Sequence, residues 1–555
     1  MQNVNAMIRY RQDSARQPRT PGMAAARRTF ALHRQSERSG LPVDEIVGRL
    51  EQARAAGALR TRRELIVGGA AAAAAAALAA HPAAGLARAL RERPQPRIAI
   101  VGAGLAGLRC AHLLFNSRPE RPILASVYEA NAERAGGRCW SLRDYFAEGL
   151  ITEHGGQLIN TPQKAVRRLA RLLGLQEEVV NGGNLPQGEE VFFIGGALYR
   201  LPEADADWKR IGYQTFRAAG LESETPAGAA RLDAMSVPEW LDSTEIGTGS
   251  RFGKLMLANT VTENGGDPAD QSALDLIVLL AGSPLKSIVP LGGDDERFHI
   301  VGGNDQLVSR MIEQLPPETV QHGHVLVAAR AGSDETVTLT FEVDGSLSDV
   351  VADFVVFALP FSTLRDVELG RSGLSQTKRT VIKTMGMGTN AKVHLELTHK
   401  TWPALGYSGA TYGEWDRLAC AWDDCVPLGA DATPALFVAF PGGRVGASGL
   451  TGAAHGPAPA ADANWALSEI DNVFPGTSAA YTGRAYEDHW ALDPWVKGAY
   501  SYYRVGQARS YQVLAQAPEG PYLFAGEQTS SEIGFLDGAV ESGEEAAKAL
   551  RRRVR

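Results

Sequence analysis

The chain has 555 residues, of which 44% are hydrophobic and 21% are charged, and its formal net charge at pH 7 is −7. This composition is ordinary for a soluble globular protein, and the length predicts more than one domain. The negative charge argues against a nucleic-acid partner, because phosphate binding favours a basic surface. Four cysteines (Cys110, Cys139, Cys420 and Cys425) are too few for a disulfide framework. We expect buried thiols, with a Cys420–Cys425 pair as the alternative.

The N-terminal region differs in composition from the rest of the chain. Residues 1–60 are rich in Arg, Ala and Gln, which predicts a disordered leader with one amphipathic stretch over residues 43–59. Arg62 and Arg63 precede an Ala-rich apolar segment, a pattern typical of a twin-arginine export signal, which we assign to residues 61–90. An Ala-rich helix that merely follows two arginines is the alternative.

The predicted signal also bears on location. Its apolar segment has about 15 residues, fewer than the roughly 20 that a bilayer span needs. We therefore expect a periplasmic or secreted protein with no stable membrane span once the signal is removed. The twin-arginine system carries folded proteins, which suits a chain that takes up a cofactor before export.

A series of strand-like and helix-like runs begins after residue 96. Residues 98–101 predict a short apolar strand, residues 103–116 a helix, and residues 124–129 a second strand. A strand, a helix and a strand in this order form a βαβ unit, which implies parallel strands. Further on, residues 336–343 alternate like an antiparallel strand, and residues 452–462 predict an Ala/Pro/Gly-rich loop.

The turn between the first strand and the helix carries three spaced glycines. Gly102 permits the tight turn, Gly104 lets the backbone approach a pyrophosphate, and Gly107 lets the helix pack close to the strand. Glu129 ends the second strand, at about the 20-residue spacing expected of an acid that binds ribose hydroxyls. A lone glycine triplet is a weak signal, but this one lies between a strand and a helix and is followed by the acid. The pattern predicts a dinucleotide-binding site.

Motifs beyond this turn resemble those of the flavin amine oxidase family, which includes monoamine, polyamine and L-amino acid oxidases. The resemblance spans about residues 96–550, and it is specific because several separated motifs agree in order. The matching segments are Ala135-Gly136-Gly137-Arg138, Glu153-His154-Gly155-Gly156-Gln157, His324-Val325-Leu326, Ala358-Leu359-Pro360, Phe524-Ala525-Gly526-Glu527 and Gly538-Ala539-Val540-Glu541-Ser542-Gly543.

The resemblance implies FAD as the cofactor and assigns its contacts. Arg138 would meet the diphosphate, the backbone of Val325 the adenine, and Glu527 the ribityl chain, while Gly156 and Gln157 would run beside the flavin ring. No metal is expected, because flavin carries the redox step. Together with Gly102, Gly104, Gly107 and Glu129, the expected FAD contacts are Gly136, Gly137, Arg138, Gly156, Gln157, Val325, Gly526, Glu527 and Ala539.

The same resemblance implies three residues at the reacting centre. Lys392 matches the family lysine that holds a water against the flavin ring, where a cation favours the charge that develops when reduced flavin meets oxygen. Tyr500 and Phe535 match the two walls of an aromatic cage over the flavin. Ala499 stands where mammalian monoamine oxidases have a cysteine bonded to flavin, so we expect FAD to be bound non-covalently. The alternatives are an exposed strand lysine and two ordinary core rings.

Three hypotheses for the activity stay open. Residues 263–267 and 302–307 are most similar to exported bacterial L-amino acid oxidases, which favours oxidation of an L-amino acid to a 2-oxo acid, ammonia and hydrogen peroxide. The second hypothesis is an amine oxidase for substrates without a carboxylate. Gln157 favours it, and so does Leu158, which replaces the arginine that clamps the substrate carboxylate in eukaryotic L-amino acid oxidases. The third is a flavoprotein dehydrogenase or a non-catalytic flavin binder. We rank the first hypothesis highest.

The expected architecture is an α/β protein with two lobes. A Rossmann-type FAD-binding lobe would be assembled from residues 95–160, 297–365 and 510–552. A substrate lobe of sheet plus helices would come from residues 161–296 and 366–509, with the flavin ring at the boundary. The expected partners are a small amine or amino acid and O2, and we expect a homodimer.

Overall fold

The computed structural model describes residues 95–147, 149–180, 188–288, 295–429 and 431–554. The predicted leader, its amphipathic stretch and the twin-arginine signal therefore lie outside the described residues. From Pro96 onward the chain forms one compact unit. Within the described ranges, no helix is both long enough and apolar enough to cross a membrane.

The strands of the described residues are short and come from all parts of the chain after residue 97. In chain order they are β1 Ile98–Val101, β2 Ser126–Tyr128, β3 Ser141–Leu142, β4 Thr152–Glu153, β5 Glu177–Val179, β6 Val191–Ile194, β7 Ala197–Arg200, β8 Phe298–Ile300, β9 Val320–Gln321, β10 Val325–Ala331, β11 Val337–Val343, β12 Ser346–Ala352, β13 Phe354–Phe357, β14 Gly386–Met387, β15 Ala391–Leu397, β16 Thr411–Tyr412, β17 Cys420–Asp423, β18 Ala435–Phe440, β19 His455–Pro457, β20 Tyr481–His489, β21 Ser501–Tyr502 and β22 Tyr522–Phe524.

The α-helices of the described residues follow the same chain order. They are α1 Leu105–Asn116, α2 Lys164–Leu172, α3 Leu201–Asp207, α4 Tyr213–Ser223, α5 Pro226–Asp233, α6 Val237–Asp242, α7 Arg251–Asn264, α8 Ala273–Leu280, α9 Gln306–Glu313, α10 Phe361–Leu364, α11 Gln376–Thr384, α12 Gly443–Ser448, α13 Ala460–Asp471, α14 Thr477–Ala480, α15 Tyr511–Gln516 and α16 Leu536–Arg553.

A parallel sheet of order β22-β13-β1-β2-β9 carries the predicted βαβ unit. Every residue of β1 is buried, because both faces of the sheet are covered. Ile98 and Ile100 pack with α1 and α16, whereas Ala99 and Val101 pack with apolar residues of β10 and β11. Two-sided burial explains why β1 is a continuous apolar run without alternation. The parallel sheet confirms the predicted α/β fold.

A second, antiparallel sheet has the order β16-β17-β18-β15-β20-β19. It draws on the chain between residues 391 and 489, and α13 and apolar residues around Trp402 pack against its central strand β15. A helical region, α3 to α8, fills the chain from residue 201 to residue 280. The described architecture thus contains a parallel sheet with helices and an antiparallel sheet with helices, while the predicted lobe boundaries stay a prediction.

Two local predictions have different outcomes in the structure. The loop predicted over residues 452–462 is wrong, because it contains β19 and the start of α13. β19 pairs with β20 at the edge of the antiparallel sheet (His455 opposite Asp488), and an edge strand tolerates the proline that made this segment look like a loop. The cysteine prediction is confirmed: all four thiols are free and buried.

Candidate active site

The glycine-rich turn and the Gly-Gly-Arg segment lie against each other at the end of β1. Gly136 N donates a hydrogen bond to Ala103 O at 2.9 Å. Gly102 has φ +104°, and a Cβ there would lie 2.7 Å from Ala358 O. A Cβ at Gly107 would lie 2.0 Å from Gly102 O. No larger residue fits at Gly102 or Gly107 without moving the backbone, as the motif predicts.

Glu129 ends β2 and is held from two sides. Ala103 N donates to its Oε2 at 2.8 Å, and Asn131 N donates to its Oε1 at 2.9 Å. His324 N donates to Glu129 O at 2.8 Å, which brings Val325, the first residue of β10, next to the acid. Burial raises the pKa of Glu129, and the two backbone hydrogen bonds oppose this rise. The structure therefore brings together the two residues predicted for the ribose and the adenine.

The start of α1 is open to an anion. Gly104 caps this helix without a side-chain hydrogen bond, and a Cβ at Gly104 would have only Gly136 O within 4 Å, at 3.9 Å. The backbone can therefore be approached closely at this point, and the free N–H groups and the helix dipole favour a diphosphate. These residues fit FAD.

The C-terminal motif closes the same site through Glu527. Its Oε1 accepts hydrogen bonds from Arg138 Nη2 at 3.0 Å and from Ser501 Oγ at 2.8 Å, and its Oε2 accepts from Gly534 N at 2.9 Å. Gly526 N donates to Ser542 Oγ on α16 at 2.9 Å, the helix that also carries Ala539. One buried carboxylate thus joins motifs that are far apart in sequence, since Arg138 and Glu527 are separated by 389 positions.

Lys392 lies in the middle of the antiparallel sheet and is only 4% exposed. Its Nζ donates to Glu153 O at 2.7 Å, to Gly155 O at 3.0 Å and to Gln157 Oε1 at 2.8 Å. The alternative of an exposed strand lysine is therefore wrong. Burial lowers the pKa of Lys392, and the nearby carboxylates of Asp424, Asp488 and Glu153 oppose that effect. All three hydrogen bonds go to the segment that resembles the family's flavin-side motif.

The two predicted cage residues come from different elements. Tyr500 Oη donates to Thr262 O at 2.7 Å, and burial holds the pKa of this phenol well above its usual range. Phe535 is half-buried and caps the start of α16. A Cβ at the neighbouring Gly534 would lie 2.9 Å from Tyr500 Cδ2. The structure brings the Gly534 backbone against the tyrosine ring, and the pairing of Tyr500 with Phe535 as a cage stays a prediction.

Gly156 and Gln157 bring the flavin-side motif into contact with two other elements. A Cβ at Gly156 would lie 2.6 Å from Leu536 Cδ2, so the motif packs closely against the first turn of α16. Gln157 lies between Lys392 and Asp424, since its Oε1 accepts from Lys392 Nζ and its Nε2 donates to Asp424 Oδ1. The sequence analysis assigned Gln157 to cofactor binding and did not find Asp424.

A histidine network behind Lys392 was also missed from sequence. Asp488 lies directly opposite Lys392 in the pairing of β15 with β20. The Nδ1 atoms of His154 and His455 each lie 2.7 Å from Asp488 Oδ1, and His394 Nε2 lies 3.0 Å from Oδ2. Potential ligand atoms of His154, His455 and Asp488 are within 4.8 Å of one another. Hydrogen bonds to the carboxylate account for this closeness, so we assign the network a structural role.

The groups that act electrostatically on Tyr500 are acids. After burial, the carboxylate of Glu263, the thiol of Cys420 and the carboxylate of Glu296 contribute most to raising the pKa of Tyr500. The same three groups act on the pKa of Tyr412, which burial also raises. Two acidic side chains, Glu263 and Glu296, therefore act on the predicted cage, whereas the Cys420 thiol stays neutral because burial raises its pKa.

The glycine turn, Glu129 and the motifs that converge on Glu527 define a dinucleotide-binding flavoprotein. The chain matches the family described as flavin containing amine oxidoreductase over residues 105–551. This match covers most of the chain, and the chain belongs to that family. Membership implies FAD as the cofactor, and the chain is an FAD-dependent amine oxidoreductase in the sense of that family, which includes oxidases of amines and of amino acids.

Known proteins similar to this chain include both amine and amino acid oxidases. Over 478 residues it is 24% identical to flavin-containing amine oxidase A of Bos taurus, covering 82% of this chain and 84% of that protein. Over 491 residues it is 24% identical to an L-amino-acid oxidase of Vipera ammodytes ammodytes, covering 83% and 94%. The solved structure of cyclohexylamine oxidase from Brevibacterium oxydans IH-35A superposes with a TM-score of 0.69 at 20% identity, covering 83% and 100%. This structural similarity supports the fold.

Proposed function

We propose that this protein is an amine oxidase for substrates without a carboxylate, which uses non-covalently bound FAD and returns electrons to O2 as hydrogen peroxide. The observation that carries the proposal is the Gln157-Leu158 pair: Gln157 is held between Lys392 and Asp424, and Leu158 stands where the eukaryotic L-amino acid oxidases have their carboxylate-binding arginine. The carboxylates of Glu263 and Glu296, which raise the pKa of Tyr500, also favour a cationic substrate. A cationic amine is attracted to such a site, whereas a substrate carboxylate would need a paired donor there. Leu158 cannot supply that donor.

The residues of the chain have separable tasks in this reaction. FAD, when bound, supplies the two-electron acceptor chemistry. Tyr500, fixed by its hydrogen bond to Thr262 O and kept neutral by burial, provides an uncharged wall that orients the amine. Lys392, held by three acceptors, places a cation where negative charge develops during reaction with oxygen.

Oxidation of an L-amino acid is the second candidate. It is favoured by the similarity to the L-amino-acid oxidase of Vipera ammodytes ammodytes and by the central segments around residues 263–267 and 302–307. This activity requires an arginine in front of Tyr500, because an unpaired buried carboxylate costs about 3–5 kcal/mol. The groups that act on the pKa of Tyr500 instead include the carboxylates of Glu263 and Glu296, so we place this candidate second.

A comparison of matched substrates tests the proposal. Agmatine and L-arginine differ only in the carboxylate, as do 2-phenylethylamine and L-phenylalanine, and kcat/KM for each follows from peroxide release. We expect each active amine to exceed its amino acid by a factor on the order of 10² or more, because about 1.36 kcal/mol is tenfold in rate. A preference for the amino acid would transfer the proposal to the second candidate, and a flavin that neither series reduces would favour the non-catalytic hypothesis.

We also propose that the protein is exported through its twin arginines and is a homodimer. Replacing Arg62 and Arg63 by lysine is expected to retain active enzyme in the cytoplasm, which fractionation and a peroxide assay measure.

Ala499 supports the non-covalent cofactor, because alanine offers no thiol for attachment. Acid precipitation should therefore release yellow FAD into the supernatant, and flavin that stays with the pellet would contradict this.

A further inference from the structure

Gln157 connects two charged groups through the two ends of its amide. Its Oε1 accepts a hydrogen bond from Lys392 Nζ at 2.8 Å, and its Nε2 donates to Asp424 Oδ1. An ionised carboxylate can only accept, and an ammonium can only donate. Asp424 therefore fixes which way the amide faces, and the amide oxygen is turned towards Lys392. If the amide were reversed, both of its contacts would be lost.

The loop around Asp424 is anchored so that this side chain keeps its direction. Asp424 N donates to Leu436 O at 3.0 Å. The preceding Asp423 faces other partners, since its Oδ2 accepts from Lys400 Nζ at 2.8 Å and from Trp402 Nε1 at 3.2 Å. Lys400 Nζ also donates to Cys425 O at 2.6 Å. Residues on both sides of Asp424 are thus held by a buried ion pair, and Asp424 itself is left to meet Gln157.

The second oxygen of the Asp424 carboxylate, Oδ2, is not used in the contact with Gln157. Its Oδ2 is buried and makes no hydrogen bond of ordinary geometry within the described ranges, although the Thr152 hydroxyl lies near enough to lower the pKa of the acid. Burial is the largest influence and raises that pKa to about 6, against the opposing charges of Lys392 and His299. The carboxylate is ionised at neutral pH and is costly to bury, which indicates that its negative charge serves the contact with Gln157 and Lys392.

We propose that Asp424 is a positioning residue, which acts through the Gln157 amide to hold Lys392 Nζ in place beside the flavin. The inference rests on the proposed role of Lys392 in the reaction with oxygen. It also gives a reason for glutamine at position 157, because a carboxylate there would face the Asp424 carboxylate directly and repel it. Asp424 touches neither the flavin nor the substrate in this account.

The test compares four variants of the FAD-loaded enzyme: Asp424→Ala, Asp424→Asn, Lys392→Met, and Asp424→Ala combined with Lys392→Met. Each enzyme is reduced anaerobically with dithionite and mixed with O2, so that the oxygen step is measured without any amine. The second readout is the visible absorption spectrum of bound FAD, which responds to a displaced cation and not to turnover. Glu469→Gln serves as the matched control, since Glu469 is a buried carboxylate that accepts from Arg417 elsewhere in the fold.

We expect Asp424→Ala to slow flavin reoxidation about tenfold, the size of one lost charge-assisted hydrogen bond. Asp424→Asn should slow it less, because its amide oxygen can still accept from Gln157. In the double variant, Asp424→Ala should slow flavin reoxidation by less than about twofold beyond the effect of Lys392→Met alone, because the two residues act as one unit. The flavin bands should shift in the same direction in Asp424→Ala and in Lys392→Met, and Glu469→Gln should change neither readout.

Three outcomes separate the possible failures. Wild-type oxygen rates in both Asp424 variants, with a slow Lys392→Met, would overturn the inference alone. An equal slowing by Asp424→Ala with and without Lys392 would overturn it as well. A wild-type oxygen rate in Lys392→Met would remove the proposed role of the lysine. The substrate proposal is judged separately, since no amine enters these measurements.

Discussion

The two sides of the flavin site are built in different ways. On the dinucleotide side, hydrogen bonds of the backbone hold the motifs together: Gly136 N donates to Ala103 O, and Ala103 N donates to the Glu129 carboxylate. On the other side, the contacts join the side chains of Lys392, Gln157 and Asp424, which come from separate segments. The first side should therefore be sensitive to added volume, and the second to the order of donors, acceptors and charges.

The largest effect is expected from Gly102→Ala. Gly102 has φ +104°, and a Cβ there would lie 2.7 Å from Ala358 O, so the substitution adds a clash to backbone strain of about 1–3 kcal/mol. We expect FAD affinity to fall on the order of 10²-fold, since 1.4 kcal/mol is tenfold. Flavin fluorescence during titration of the apoprotein measures it.

Gly483→Ala provides the matched control for this substitution. Gly483 has φ +88°, and a Cβ there would have nothing within 4 Å. It carries the strain without the clash and lies in the antiparallel sheet, so FAD affinity should stay near that of the wild type. Equal losses in the two variants would show that strain, and not the close approach at the dinucleotide site, governs binding.

A smaller effect, on stability, is expected from Asp488→Asn. Although burial alone would raise the pKa of Asp488, the charge and hydrogen bond of His154, followed by hydrogen bonds from His394 and His455, hold it well below its usual range. The substitution removes the negative charge and replaces one of the two acceptor oxygens that the buried histidines share by an NH2 donor, and we expect a loss of about 3–5 kcal/mol in the free energy of unfolding. Urea denaturation of the apoprotein measures it.

The stability from Asp488 also has a defined pH dependence. Its folded pKa is depressed, so its contribution is present above the pKa of the unfolded chain, about 4, and is lost as pH falls through the folded value. Between pH 5 and the pKa of an unfolded histidine, about 6.5, the difference between Asp488→Asn and wild type should therefore stay constant. Above that pH it should become smaller, because Asp488 raises the pKa of His455 and this part of the stability is lost as His455 deprotonates. A difference that vanishes at pH 7 would show that the network does not need an ionised carboxylate.

The smallest expected effect is a pH step in the reaction of reduced enzyme with O2. Burial raises the pKa of Asp424 to about 6, so the carboxylate becomes protonated as pH falls through that value. Its charge is then lost from the contact with Gln157. We expect reoxidation to slow severalfold from pH 7.5 to pH 5.5 in the wild type, and the step near pH 6 to be absent in Asp424→Asn.

The Asp424→Asn variant separates Asp424 from the other titratable groups that face it, because those groups are retained there. His299 has a pKa of about 9, because hydrogen bonds to Glu153 and Glu178 outweigh the effect of burial, and it stays protonated throughout. Lys392, Thr152 and Asp423 also face Asp424. Lys392→Met should lack the step too, since there is no ammonium left to position. A step of equal size in Asp424→Asn would assign it to another group.

The sequence predicted the dinucleotide side well because its signals are local. β1, the glycine turn and α1 are contiguous, and the acid that ends β2 follows at a fixed spacing, so backbone geometry determines their meeting. The structure places Gly102, Gly104, Gly107 and Glu129 together as predicted. The convergence of Arg138 with Glu527 required the family resemblance, because nothing local links residues so far apart.

The Lys392 side was predicted only in part. Lys392 was found through its motif, but Asp424 and Asp488 were not, because each is a single acid in an ordinary strand or turn. Their roles arise from pairing between strands, such as Lys392 opposite Asp488, which alternation within one strand does not reveal. The proline and glycine in β19 made it look like a loop, and its pairing with β20, which lies further along the chain, was not visible from the segment itself.

The most direct test of the central claim is anaerobic reduction of the bound flavin in a stopped-flow instrument. Agmatine and L-arginine, then 2-phenylethylamine and L-phenylalanine, are mixed in turn with the oxidised enzyme, and bleaching of the flavin absorption is followed. Because Leu158 offers no partner for a substrate carboxylate and the carboxylates of Glu263 and Glu296 act on Tyr500, we predict rapid bleaching by at least one amine and bleaching on the order of 10² times slower by its amino acid. Faster bleaching by the amino acid in either pair would contradict the account.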